Sequence, residues 1–170
     1  MFVDPPKQEK LVEILQWVLM PNHYHLLLVE KTEGGITEFM KRLGNSFTKY
    51  INIKYKRSGY LFQNKAQILL LENDAHFLYI PYYIDLNPLD LKFINWKKDG
   101  LLDCDSAVHF LEEYRWSSRF DYVRCREYRD VINRELFYEI FDLTEEDYNK
   151  EMKDIIVNPI QKMESDFLYY

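Results

Sequence analysis

The chain has 170 residues, of which 47% are hydrophobic and 16% aromatic, enough for one substantial core but not for two large ones. Its two cysteines, Cys104 and Cys125, form no C-x-x-C pair, so the sequence indicates neither a disulfide framework nor a zinc knuckle. No uninterrupted apolar run approaches the roughly 20 residues that a membrane span requires, and residues 1–10 are polar. We therefore expect a cytoplasmic protein with no membrane partner.

Charge is distributed unevenly along the chain. The formal net charge is −6, and an acidic protein is in general a poor partner for phosphate groups. Residues 36–67, however, carry a net charge of +6, whereas residues 101–170 carry −8. This asymmetry indicates an anion-binding surface in the middle of the chain, although the same cations could simply solvate a helix.

The first predicted elements are two strands joined by a tight turn. Residues 14–20 and 23–29 are rich in strand-forming types, and Pro21-Asn22 between them is a turn dipeptide. Because side chains alternate across a strand, His23 and His25 share one face of this hairpin. The two imidazoles are therefore expected to be neighbours.

An amphipathic helix is predicted next. Gly34-Gly35 breaks the chain, and apolar residues then recur at helical spacing from Ile36 to Ile51, until Ser58-Gly59 stops the pattern. A short strand is predicted at residues 68–71, where it would add to the same sheet.

A second helix is predicted over about residues 75–86. It should stop at Asn87-Pro88, and Pro81 either kinks it or moves its start to near Tyr79. Residues 97–100 resemble a linker, and shorter helices follow. The element order predicts an α+β fold with helices on a mainly antiparallel sheet. We assign residues 1–100 to one domain and residues 101–170 to a C-terminal helical extension.

The residues that could support a chemical reaction are the two histidines and part of the second helix. His-x-His on one strand face offers two imidazoles to a single cation. Tyr83 and Asn87 lie four residues apart and project from one helix face, so they could supply a nucleophile and a neutral oxygen ligand. Each signal alone is weak, since paired histidines often bind nothing and most of the 14 tyrosines must be packing residues.

Four motifs occur in a fixed order: LMPNHYHLLL at 19–28, RSGYLFQ at 57–63, YIDLNP at 83–88 and WSS at 116–118. Together they resemble the REP-associated tyrosine transposases, a branch of the single-tyrosine HUH transposases, over about residues 15–122. The resemblance implies a ferredoxin-like antiparallel sheet that bears both histidines, with helices on one face. It also implies metal-dependent nicking and rejoining of single-stranded or hairpin DNA through a 5′-phosphotyrosine intermediate.

The resemblance also assigns roles to residues. Tyr83 is the catalytic nucleophile, with Tyr82 and Tyr79 as rivals, and a divalent metal, Mg or Mn, is held by the two histidines and Asn87. We further expect a DNA-binding surface in which cations hold phosphates and aromatic rings stack on unpaired bases. Its predicted members are Lys41, Lys49, Lys54, Lys56, Arg57, Tyr60 and Phe62. Related transposases are commonly dimers, so a homodimer is a further expectation.

Members of that family usually have a strand and a helix ahead of the strand that corresponds to residues 15–20, so this chain resembles an N-terminally truncated relative. Loss of that strand would leave a sheet edge unprotected. Three alternatives therefore stay open: a catalytically inactive DNA-binding descendant, a phosphodiesterase that activates water, and a structural domain whose histidines bind nothing.

Overall fold

The computed structural model describes residues 9–123 and 131–159, which divide into two compact units. Of the described residues, the first unit comprises 9–13 and 28–68, and the second comprises 14–27, 69–123 and 131–159. An antiparallel sheet is combined with helices, including helices near the C-terminus, so the predicted α+β class is confirmed. None of the described helices is both long enough and apolar enough to cross a membrane. Cys104 carries a free thiol, and Cys125 lies outside the described residues.

Two strands form the predicted hairpin. Strand β1 spans Val12–Leu19, and strand β2 spans Tyr24–Glu30. Across the connection, the amide of Met20 donates to the carbonyl oxygen of His23 at 2.8 Å. The hairpin prediction is confirmed, and it places one histidine immediately before β2 and the other within it.

In the first unit, helix α1 spans Gly35–Lys54. Glycine is required at its first position, because a Cβ at Gly35 would lie 2.4 Å from the carbonyl oxygen of Leu11. The helix ends earlier than the predicted stop at Ser58-Gly59. Lys56 adopts a positive φ of 51°, and such a left-handed residue cannot continue an α-helix.

In the second unit, helix α2 spans Asp74–Leu86. Its start is fixed by Asn73, whose side-chain oxygen accepts hydrogen bonds from the amides of Ala75 at 2.9 Å and His76 at 3.3 Å. The helix passes through Pro81, so the alternative start near Tyr79 is wrong. The predicted end before Asn87-Pro88 is confirmed, and a 3₁₀ helix, Asn87–Leu91, follows directly.

The predicted strand at residues 68–71 is wrong. These residues form neither strand nor helix, and Ile68, Leu69 and Leu70 are 55%, 46% and 75% exposed. A strand requires a neighbour to receive its backbone hydrogen bonds, and no described strand pairs with this segment. An apolar run alone is therefore not enough to make a strand.

The predicted linker at residues 97–100 is also wrong. Helix α3 spans Trp96–Asp99 and is anchored by Trp96, which is 3% exposed. The indole nitrogen of Trp96 donates to Asp90 at 2.7 Å. Burial of the indole fixes this short helix against the core.

The C-terminal part is helical where it is described. Helix α4 spans Cys104–Glu113, α5 spans Arg119–Val123, α6 spans Arg134–Phe141 and α7 spans Glu145–Val157. Phe137, Phe141, Tyr148 and Met152 from α6 and α7 are all buried. These helices therefore contribute core residues to the second unit.

The outer edge of β1 is covered by the segment that precedes α5. The amide of Leu19 donates to the carbonyl oxygen of Trp116, and the amide of Ser118 donates to the carbonyl oxygen of Trp17, both at 2.8 Å. The WSS motif thus covers the strand edge. A bare edge on β1, which the resemblance to a truncated relative predicted, is not found.

Two further bonds extend this cover along β1. The amide of Asn133 donates to the carbonyl oxygen of Ile14, and the hydroxyl of Tyr122 donates to that of Leu15, both at 2.8 Å. Because these backbone groups of β1 already have hydrogen-bond partners, another strand cannot pair with them. Residues C-terminal to position 113 therefore protect the sheet.

A buried polar group of four residues, the Tyr148 cluster (Gln16, Asp85, Arg119 and Tyr148), lies in the second unit. The Tyr148 hydroxyl shares its proton between Asp85 Oδ2 at 2.9 Å and the carbonyl oxygen of Pro81 at 3.1 Å, and it accepts from Gln16 Nε2 at 3.0 Å. Burial raises the pKa of Asp85 to about 6, while Arg119, 4.0 Å away, acts in the opposite direction. The cluster joins β1, α2, α5 and α7.

We predict that Tyr148→Phe lowers the free energy of unfolding by about 1–3 kcal/mol, because Gln16 and Asp85 lose a partner where water cannot replace it. Urea denaturation measures the change. The control is Tyr60→Phe, which removes a hydroxyl from a side chain that is 93% exposed. Equal effects of the two substitutions would contradict a stabilising role for the cluster.

Candidate active site

The hairpin brings the two predicted metal ligands together. The ring centroids of His23 and His25 are 5.0 Å apart, and the ring planes are inclined at 82°. His23 is exposed, and its Nδ1 lies 2.7 Å from Asn22 Oδ1, a contact that orients the ring. With Nδ1–H as the donor in this contact, Nε2 of His23 carries the lone pair that a metal requires.

His25 occupies a less polar position. Burial, followed by the nearby charges of His23 and Lys97, lowers the pKa of His25 to about 4. The imidazole is therefore neutral at physiological pH. Its Nε2 is buried and has no hydrogen-bond partner among the described residues. A buried, unsatisfied nitrogen is costly unless it receives a ligand, so this atom fits a metal-binding role.

Tyr83 lies beside this pair. The residue is half-buried on α2, and the centroid of its ring is 5.3 Å from that of His25, with an interplanar angle of 76°. Three rings, one from the residue before β2, one from β2 and one from α2, therefore form a contiguous row. The structure thus places the predicted nucleophile next to the predicted ligands.

The two rival tyrosines occupy different surroundings. Tyr82 is 4% exposed, stacks on Tyr148 at 4.8 Å and donates its hydroxyl to Glu151 at 2.5 Å. Burial and the Glu151 carboxylate raise the pKa of Tyr82 well above its usual range, which disfavours the phenolate. Tyr79 is 7% exposed. Both serve the core, which leaves Tyr83 as the tyrosine of α2 that lies next to the histidines.

Asn87 is tied to the last turn of α2. It is 4% exposed, and its Nδ2 donates to the carbonyl oxygen of Tyr83 at 2.6 Å. Any metal-ligating role must therefore fall to Oδ1. In the described part of the chain, no three His, Cys, Asp or Glu side chains converge to hold a metal.

Lys97 lies near Tyr83 and was not among the site residues predicted from the sequence. Its Nζ lies 6.0 Å from the centroid of the Tyr83 ring and forms an ion pair with Asp90 at 2.8 Å. Lys97 is also one of the charges that lower the pKa of His25. The local sequence does not predict that Lys97 lies near Tyr83. This placement depends on the tertiary packing of α3, in which Lys97 pairs with Asp90 of the 3₁₀ helix.

The predicted DNA-binding residues belong to the first unit and share one property: each is exposed. They are Lys41, Lys49, Lys54, Lys56, Arg57, Tyr60 and Phe62. Phe62 lies 6.1 Å from Phe47, and a guanidinium nitrogen of Arg57 donates to the carbonyl oxygen of Tyr60 at 2.9 Å. Lys54 lies over the rings of Tyr50 and Tyr55.

Three of these residues line an open groove of about 520 Å³ at the end of α1. Its lining combines cations, amides and an aromatic ring: Asn45, Thr48, Lys49, Asn52, Ile53, Arg57, Gly59 and Tyr60. Such a combination suits a nucleic-acid strand, whose phosphates require cations and whose unpaired bases stack on rings.

Comparison with known proteins gives one match. The model of a family described as transposase, IS200-like, matches residues 3–85, a range that contains His23, His25 and Tyr83. No curated protein and no solved structure matches the chain. The N-terminal part of the chain is therefore similar to the IS200-like transposases.

Proposed function

We propose that the chain is a metal-dependent, single-tyrosine HUH transposase, similar to the REP-associated type, which nicks and rejoins single-stranded DNA. The observation that carries this proposal is the row of rings from His23 through His25 to Tyr83, with centroid separations of 5.0 Å and 5.3 Å. The proposal includes single-stranded or hairpin DNA as substrate and a homodimer as assembly.

The proposed reaction is a phosphoryl transfer to tyrosine. The Tyr83 hydroxyl oxygen attacks the phosphorus of a DNA phosphodiester, so that a bond from this oxygen to phosphorus forms and the bond to the 3′ oxygen breaks. The phenol gives up its proton, and the departing 3′ oxygen gains one to become a hydroxyl. Reversal of the same steps reseals the strand, so no net hydrolysis occurs.

His23, His25 and Asn87 would hold the divalent ion, Mg or Mn. When bound, such an ion neutralises charge on the scissile phosphate. Two properties of His25 support this role: burial keeps its imidazole neutral, and its Nε2 has no hydrogen-bond partner among the described residues. Mg and Mn prefer oxygen ligands, so a site with two imidazoles favours the softer of the two, Mn.

In the first unit, the exposed cations and rings around the groove at the end of α1 would bind the DNA strand. Lys49 and Arg57 would contact phosphates, and Tyr60, at 93% exposure, would stack on an unpaired base. This surface explains how a chain with net charge −6 can bind an anionic polymer. Local charge matters more than the total, because solvent ions screen charges beyond about 10 Å.

We predict that Tyr83→Phe abolishes a covalent protein–DNA adduct, because it removes the attacking oxygen. The protein is incubated with labelled hairpin-containing single-stranded DNA and Mn²⁺, and adducts are resolved on denaturing gels. Tyr82→Phe is the matched control, since its hydroxyl is committed to Glu151. Loss of the adduct only in Tyr82→Phe would move the nucleophile by one residue, and no adduct with folded wild type would favour an inactive DNA-binding descendant.

We predict that Mn²⁺ raises the Tm of the wild type but not that of His23→Ala or His25→Ala. Binding to the native state alone stabilises it by about 2.7 kcal/mol at 100 times the dissociation constant. Differential scanning fluorimetry measures the shift. The control is His109→Ala, an exposed histidine on α4, which should keep the full response. Equal Mn²⁺-induced Tm shifts in all four proteins would show that the histidine pair does not bind the metal.

We predict that the double substitution Lys49→Ala with Arg57→Ala weakens single-stranded DNA binding and flattens its salt dependence. Each lost phosphate contact should reduce the slope of log K against log salt by about 0.7. Fluorescence anisotropy in the Tyr83→Phe background measures affinity without cleavage. Lys150→Ala with Lys153→Ala, on acidic α7, removes the same charge elsewhere, and an equal loss there would contradict a specific surface.

A further inference from the structure

The second unit places a fixed cation beside the proposed nucleophile. Lys97 Nζ lies 6.0 Å from the centroid of the Tyr83 ring. Its side chain is 31% exposed, so the ammonium lies at the surface of the site, within reach of a ligand from solvent. An ammonium near the ring of a nucleophilic tyrosine can act on the group that the tyrosine attacks.

The position of Lys97 is determined by its neighbours. Asp90 Oδ2 forms the ion pair with Lys97 at 2.8 Å, while Oδ1 of the same carboxylate accepts from the Trp96 indole at 2.7 Å. Trp96 is 3% exposed and anchors α3 in the core. The Asp90 carboxylate therefore holds both α3 and the ammonium of Lys97. The ammonium needs little rearrangement when a substrate binds.

The distances allow contact with an attacked phosphate. In a near-attack arrangement, the tyrosine oxygen and the phosphorus are about 3–3.5 Å apart. Because Lys97 Nζ lies 6.0 Å from the centroid of the Tyr83 ring, a phosphate in front of the Tyr83 hydroxyl would be close enough for the four-carbon side chain of Lys97 to bring its ammonium to a non-bridging oxygen. An ammonium has three N–H donors, so the ion pair with Asp90 is compatible with a second anionic partner.

We propose that the ammonium of Lys97 binds a non-bridging oxygen of the scissile phosphate and stabilises the charge that develops there as Tyr83 attacks. The inference rests on the proposed role of Tyr83 and adds a catalytic residue outside the motifs that carry the family resemblance. A cation that is already in place before the reaction stabilises the transition state without reorganisation.

The test compares single-turnover rates of adduct formation for wild type, Lys97→Ala and Lys97→Arg, with hairpin-containing single-stranded DNA and Mn²⁺ at saturating protein. Loss of one preorganised electrostatic contact should lower the rate by about 100-fold. Lys97→Arg, which keeps the charge, should recover most of it. Lys98→Ala is the matched control, because it removes an adjacent exposed cation and should leave the rate unchanged.

A purely structural Lys97 makes a different prediction. If the residue only holds α3 through Asp90, then Asp90→Asn and Lys97→Ala should lower the rate equally. A catalytic Lys97 predicts that Asp90→Asn lowers the rate less than Lys97→Ala does, since the cation remains, although less firmly positioned, and the amide oxygen still accepts from Trp96. Lys97→Ala should change the affinity for the same DNA little when it is measured in the Tyr83→Phe background. The proposed contact stabilises the transition state more than the bound ground state.

The outcomes separate this inference from the proposed function. A wild-type adduct that Lys97→Ala forms at an undiminished rate overturns the role of Lys97 alone. The same holds if Lys98→Ala is as slow as Lys97→Ala. Absence of an adduct in folded wild type overturns both. A rate that falls in Lys97→Ala and recovers in Lys97→Arg supports both.

Discussion

Tyr148 places one buried hydroxyl where β1, α2 and α7 meet, and three polar groups depend on it: the carboxylate of Asp85, the carbonyl of Pro81 and the amide of Gln16. A buried carboxylate without partners is costly, so Asp85 must face this hydroxyl and the Arg119 guanidinium. That requirement fixes the rotation of α2 about its axis. Because Tyr83 lies two residues away on the same helix, the rotation also determines which tyrosine lies next to His25.

The same rotation gives two adjacent tyrosines different surroundings. Tyr82 is directed toward α7, where Tyr148 stacks on its ring and Glu151 accepts a hydrogen bond from its hydroxyl, whereas Tyr83 lies beside His25. The acidic C-terminal part thus has a structural role in its described residues. Its carboxylates at the start of α7, next to the Thr144 cap, also match the positive end of the helix dipole.

Much of the site follows from the sequence, because it depends on local rules. Strand alternation predicts neighbouring histidines, and the four-residue spacing predicts that Tyr83 and Asn87 lie one helical turn apart, but the hydrogen bond from Asn87 to the backbone carbonyl of Tyr83 was not predicted. The rest depends on distant partners. Residues 68–71 have the composition of a strand, but no described strand pairs with them. The edge of β1 is covered by Trp116 and Ser118, which lie far along the chain. No local sequence pattern distinguishes a linker at residues 97–100 from a helix that is held by Trp96.

Low polarity and fixed charge act together around Tyr83. Burial and nearby positive charge keep His25 neutral, and a neutral imidazole retains the lone pair that a metal requires. If a phosphate binds as proposed, the same surroundings would weaken screening, so the ammonium of Lys97 would act on it more strongly than a fully exposed lysine would. Asp90 opposes this effect by pairing with the ammonium, but it also keeps the ammonium from moving away from the ring. In the proposed reaction, the ion pair with Asp90 would weaken the field of the ammonium but hold it in one position, and a fixed charge stabilises a transition state more than it promotes general attraction of DNA.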